Sequence, residues 1–211
     1  DTLQGQSSTN FTLNNSGTIE ATQSNCGRAP AVHLHRANGT VTIVNSGTIT
    51  SGSSDTIKTH DSSITLSITN SGTISGCQRV LNIGQMNSGV QATLTNSGTI
   101  SGTSNVLYIY SAGTDVGIGS ITNSGTISAS NGYVTEINNV NDVTITNTGT
   151  ISATADAITN IGKNSSNGNV IVNKGTISSG SSNHDLTVYS SDGLQSLTND
   201  QGGNDALKLE G

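Results

Sequence analysis

The sequence predicts an all-β fold: a parallel β-helix, or β-solenoid, with three short strands per coil and about seven to eight coils. Three observations lead there. The word Asn-Ser-Gly-Thr-Ile begins at Asn15, Asn45, Asn70, Asn96 and Asn123, with close variants at Asn147 and Asn173, at successive spacings of 30, 25, 26, 27, 24 and 26 residues. Around each word apolar and polar residues alternate with period two, the mark of a half-buried strand, while a helical period is found nowhere. Finally, 114 of the 211 residues are Ser, Thr, Asn or Gly and only 46 are Ile, Leu, Val or Phe, a supply that suits a thin core repeated coil after coil.

Taken along the chain, residues 1–14 read as a lead-in or cap, with Leu3, Phe11 and Leu13 placed to cover the first coil, and residues 15–211 as a single solenoid domain. Each coil then holds one alternating stretch before the word, such as Ser67-Ile68-Thr69 or Thr144-Ile145-Thr146, and another within it, such as Thr48-Ile49-Thr50 or Thr99-Ile100-Ser101. A third, less regular apolar patch follows mid-coil at Val80-Leu81, Val106-Leu107, Val134, Ala157-Ile158 and Leu186. The Ile of the word points inward and stacks as a column, with coils about 4.8 Å apart. The Asn stacks as an amide ladder, which satisfies polar groups that a thin core cannot hide. The Gly is expected in a turn of positive φ, a conformation that costs Gly nothing. A degenerate eighth word starts at Asn199.

Charge narrows the function. A net charge of −6, with only 9% charged residues, argues against a nucleic-acid binder, which needs a basic face to displace counterions. No run of about 18 apolar residues occurs, so no insertion of this segment into a membrane is expected. Catalysis is not expected either. The acidic residues are scattered, with Asp55 and Asp61 the only close pair on a plausible surface, and no Gly-x-Ser-x-Gly elbow is present. Neither a catalytic residue nor a cofactor is therefore assigned.

The phrase Ile-Thr-Asn-Ser-Gly-Thr-Ile-Ser-Gly at 68–76, and nearly so at 94–102, resembles the passenger repeats of bacterial autotransporter (type V secretion) surface proteins. The likeness covers about residues 15–198. It implies a right-handed β-helix, export, and display on the outer membrane. It also implies a role in cell adhesion, autoaggregation or biofilm formation, although the family includes proteases and esterases as well. The signal and the membrane barrel of that family are missing from the chain, which reads as an excised or processed passenger.

The candidate functional residues lie on the mid-coil strand: His33, His35, Arg36, Lys58, His60, Arg79, Tyr108, Tyr110, Tyr133 and Tyr189. Tyr and Arg are enriched at interfaces, and Tyr also stacks on sugars, so such a stripe suits another copy of the rod, a host or matrix protein, or a glycan. Four of the seven Lys and Arg and three of the four His precede residue 80, whereas residues 81–211 hold nine acidic side chains and three basic ones. The expected partner is the protein itself, a matrix protein or a glycan, and the alternative function is a glycan-binding or glycan-cleaving solenoid. Two further readings are an ice-binding face, from the Thr-x-Thr and Thr-x-Ser ranks flanking the Ile column, and a plain stalk. His33, His35 and His60 fall near one column and could hold Zn²⁺, but no Cys or carboxylate pattern supports it, so no metal is expected. Cys26 and Cys77 are the only cysteines. Export favours a disulfide between them. Their nominal separation of about 10 Å along the axis is a mild objection, met if the loop Cys26-Gly27-Arg28-Ala29-Pro30 leans across the second coil; the alternative is two separately buried thiols.

Overall fold

The computed structural model of the chain describes residues 3–5, 10–22, 30–52, 55–60, 62–86, 91–111, 117–138, 143–163, 169–180, 186–189, 194–199 and 207–210. It is an all-β parallel solenoid, and no described residue is helical. Strands succeed one another through three sheets in strict rotation, so every third strand returns to the same sheet and pairs in parallel with its predecessor. Among the described residues nine strands form the first sheet, from Leu3–Gly5 and Val32–His35 to Leu207–Glu210, eight form the second, and seven form the third. No helix is long and apolar enough to cross a membrane among the described residues.

The core is the strip where the three sheets face one another. In the eight-stranded sheet, Asn38–Asn45 buries Val41, Ile43 and Asn45 while Thr42 and Val44 turn outward, and Ser63–Asn70 repeats the alternation with Leu66, Ile68 and Asn70. In the seven-stranded sheet the word Ile is the one residue buried in every coil from the second onward. The third patch is less regular because it sits at a corner. Val80 and Leu81, Val106 and Leu107, and Ala157 and Ile158 are consecutive yet both buried, the first residue closing the bend and the second opening a strand of the nine-stranded sheet. Phe11 and Leu13 are half-buried and pack against this core from the lead-in segment, which itself supplies the first strands of two sheets.

The solenoid encloses about five turns, fewer than the seven to eight that the word count predicts. Ile49, Ile74, Ile100, Ile127 and Ile151 are at most 1% exposed, whereas Ile177 rises to 8% and Ile19 is only half-buried. A coil buries its face only against its neighbours, so a word at either end counts as a repeat without being a fully enclosed turn.

The word builds the corner between the eight- and seven-stranded sheets, and its Asn is the pivot. Asn45, Asn70, Asn96, Asn123 and Asn147 are completely buried. Each donates from Nδ2 to Oδ1 of the next Asn at 2.8 Å, and the rung from Asn15 to Asn45 is 2.7 Å. The same Nδ2 reaches the carbonyl of its own Gly and that of the Thr one coil on, at 3.2 and 3.1 Å for Asn45. One buried side chain thereby ties the turn to its own strand and to the coil beyond it.

The glycine of the word has a different reason from the one expected. None of these glycines takes positive φ among the described residues. A Cβ on Gly47, Gly72, Gly98, Gly125 or Gly149 would lie 2.1 Å from the carbonyl oxygen of the glycine one coil earlier. Backbone stacks on backbone at this corner, with Ser46 N donating to Asn15 O and Thr48 N to Gly17 O at 2.8 Å each. Close approach, and not turn conformation, excludes every side chain there.

Candidate binding face on the nine-stranded sheet

The register of the nine-stranded sheet decides which outward side chains meet. Val32 pairs with Ile57, Ile57 with Leu81, Leu81 with Leu107, and Leu107 with Thr135. These point inward, so the residues after them form a file on the outer face: His33, Lys58, Asn82, Tyr108 and Glu136. A second file runs beside it through His35 and His60, and further on through Gly84 and Tyr110. Six of the ten predicted stripe residues therefore sit in two adjacent files, placed by a period-two strand and a coil-to-coil register.

The other four are placed differently. Arg36 is exposed in the turn after Val32–His35, with φ of 52°. Arg79 lies in the turn before Leu81–Met86 and folds over the face, its guanidinium carbon 4.0 Å from the centre of the Tyr108 ring. Tyr133 is 38% exposed in the turn before Thr135–Asn138. Tyr189 closes the strand Leu186–Tyr189, with its backbone paired to Glu210, and its side chain is outside the description.

At the N-terminal end of the face the three imidazoles gather. His33 and His35 stack with ring centres 5.6 Å apart, and His60 meets His35 edge-on at 5.4 Å. Burial holds the His33 pKa below the ordinary histidine value, and the nearby Lys58, His35 and His60 push it the same way against the pull of Asp55. Its Nε2 is buried without a hydrogen-bond partner. No group of three or more His, Cys, Asp or Glu is arranged to hold a metal among the described residues.

Next along the axis a cavity of about 230 Å³ opens between Lys58, His60, Arg79, Asn82, Tyr108 and Tyr110. The two tyrosine rings form one wall, 6.4 Å apart and nearly parallel at 18°. Burial raises the Tyr108 pKa above the usual phenol value, with Arg79 opposing. Asp55, which the sequence paired only with Asp61, is 5% exposed and props up this cavity from below. It accepts a 2.7 Å bond from Asn82 Nδ2 and lies 3.7 Å from Lys58 Nζ. Asp61 falls outside the described residues. Asn82, Asp55 and Glu136 are the members of the face that sequence reading missed. Lys58, Asn82, Tyr108 and Glu136 do follow one another at roughly coil spacing, but which of them meet is set by the strand register.

The Thr and Ser ranks of the seven-stranded sheet are in unbroken register, Thr48 with Thr73, Thr99, Thr126, Thr150 and Thr176. The second rank begins with Glu20, opposite Thr50. A groove of about 560 Å³ runs past its far edge, lined by Thr50, Ser75, Ser101, Ser128 and Cys77 among others. Cys77 is in a disulfide. Cys26 lies outside the described residues.

No protein-family model, curated protein or solved structure matches the chain. The functional reading rests on its own residues.

Proposed function

We propose that this chain is a passenger segment of a bacterial autotransporter, exported to the cell surface and displayed at the outer membrane, where it acts as an adhesin and not as an enzyme. The observation that supports it most is the outer face of the nine-stranded sheet, where register gathers His33, His35, Lys58, His60, Tyr108 and Tyr110 into two adjoining files. Aromatic and cationic side chains of this kind anchor interfaces. A rod offers such a face along its length, so that many weak contacts, each worth about 1 kcal/mol net at most, add up. Right-handed winding belongs to the same reading, since crossover connections between parallel strands are nearly always right-handed.

The test is sedimentation of the purified chain across a concentration series, run beside an aggregation assay with added cells. Reversible dimers or clumped cells, lost on charge reversal at Lys58 and Arg79, are expected. A strict monomer that clumps no cells and adheres to no matrix protein or glycan would sink the proposal.

A further inference from the structure

We propose that the cavity between Lys58, His60, Arg79, Asn82, Tyr108 and Tyr110 is a binding site for an acidic sugar, carboxylated or sulfated, carried in a glycan. The inference rests on the adhesin reading and names the ligand class of its central face.

The two walls of the cavity differ in chemistry, and both are needed. Tyr108 and Tyr110 present nearly parallel rings; Arg79 covers a face of Tyr108, so the Tyr110 ring supplies the apolar surface that suits the C–H face of a pyranose, while the hydroxyls of both bond to sugar hydroxyls. Opposite them stand Lys58 and His60, with Asn82 at the base and Arg79 at the rim. A carboxylate or sulfate takes charge-assisted hydrogen bonds from such donors, and the planar guanidinium suits a two-oxygen acceptor.

The cations are also held in place before any ligand arrives. Stacking on Tyr108 fixes the plane of the Arg79 guanidinium, and among the described residues Arg79 makes no ion pair. Asp55 anchors Lys58 from beneath, and its other bond goes to Asn82. That carboxylate is buried, so it orients the ammonium group without competing at the mouth of the cavity. Glu136, the neighbour of Tyr108 in the next coil, accepts a bond from Asn105 Nδ2 at 2.5 Å. Ordered donors lose less freedom on binding than mobile ones.

Charge and size agree. The chain carries −6 overall, yet among the described residues of this end of the face Arg36, Lys58 and Arg79 outnumber Asp55 and Glu136. A cationic spot attracts anions, which the rest of the acidic rod repels. A volume of about 230 Å³ falls below the roughly 300–1,000 Å³ of pockets that enclose drug-sized ligands, leaving room for one sugar ring with the polymer running on along the face.

The experiment uses the whole chain and three soluble probes: oligogalacturonate, sulfated dextran oligomers and neutral dextran oligomers, with binding followed by calorimetry. Binding of either acidic probe, without binding of the neutral one, is expected, and the two acidic arms tell carboxylate from sulfate recognition. Arg79→Gln and Tyr110→Ser should each raise Kd at least tenfold with an unchanged melting curve. Lys174→Gln, a charge change on the exposed corner of a distant coil, should leave it within twofold. Equal binding of neutral dextran, or equal weakening by Lys174→Gln, would overturn the site. So would failure to bind any probe. A chain that binds no sugar but still self-associates, clumps cells or adheres to a matrix protein would lose this inference and keep the adhesin reading; one that does none of these would lose both.

Discussion

The corner built by the repeated word and the outer face of the nine-stranded sheet lie in the same coils but obey opposite rules. At the corner, sequence barely changes from Asn45 to Asn147, because each position is fixed by the backbone of an adjacent coil. Glycine is required by a carbonyl 2.1 Å from any Cβ, and asparagine by three acceptors around one amide nitrogen. On the outer face, register dictates only that a side chain points outward, and the file reads His33, Lys58, Asn82, Tyr108, Glu136. Repetition therefore marks where the fold is held, and departure from repetition marks where chemistry has room to differ.

Substitutions can break that contrast, beginning with the largest effect. Ile100→Asp puts an unpaired carboxylate at a fully buried site of a middle coil and should cost more than about 4 kcal/mol, in the range reserved for buried unpaired charge. Chemical denaturation reads this, and a melting temperature equal to the parent's would refute the inward column. Gly98→Ala comes next. Its methyl group would meet the Gly72 carbonyl oxygen, a backbone atom that cannot swing aside, so destabilisation should reach about 3 kcal/mol, the upper end for overpacking. Asn96→Ala should cost about 2 kcal/mol or more. It removes one of three acceptors from the Asn70 amide and takes the ladder donor from the Asn123 side-chain oxygen, both fully buried. The glutamine variant at the same position should not rescue it, being one methylene too long for the 2.8 Å rungs.

A smaller effect sharpens the other side of the comparison. His33 is held neutral to lower pH than an ordinary histidine, so the unfolded chain takes up this proton first. Stability tied to His33 is therefore complete above the ordinary histidine pKa and declines as pH falls through that value towards the lowered one. Thermal melts at pH 7 and pH 5 should show the loss, and His33→Gln should shrink it. An identical pH dependence in the variant would remove His33 as the cause.

The solenoid and its amide ladder were legible in the sequence because each coil repeats its constraints: Asn, Gly and Ile recur at coil spacing whatever else changes. The glycine's true constraint was not legible, since positive φ and close approach select the same residue. The number of enclosed turns was overread for a related reason. Ile19 and Ile177 carry the same word as Ile100, and only the presence of a coil on both sides distinguishes them. On the outer face the stripe could be listed from the sequence, but not its pairing. That Lys58 faces Tyr108 across Asn82, or that Asp55 lies beneath them, depends on a register that varies with coil lengths of 24 to 30 residues.

The asparagine ladder carries one more consequence. Every rung donates in the same sense, from each coil to the following one, and every interior rung has the same length. Asn70 is met by Asn96 just as Asn96 is met by Asn123, so the seam cannot tell one coil from the next. Excision of residues 96–122 would bring Asn123 to Asn70 with an equivalent rung, and duplication would insert one. Coils joined this way are interchangeable parts: the length of the rod can be edited in whole units during evolution, while the one-off cluster of histidine, arginine and tyrosine travels with the coils that bear it.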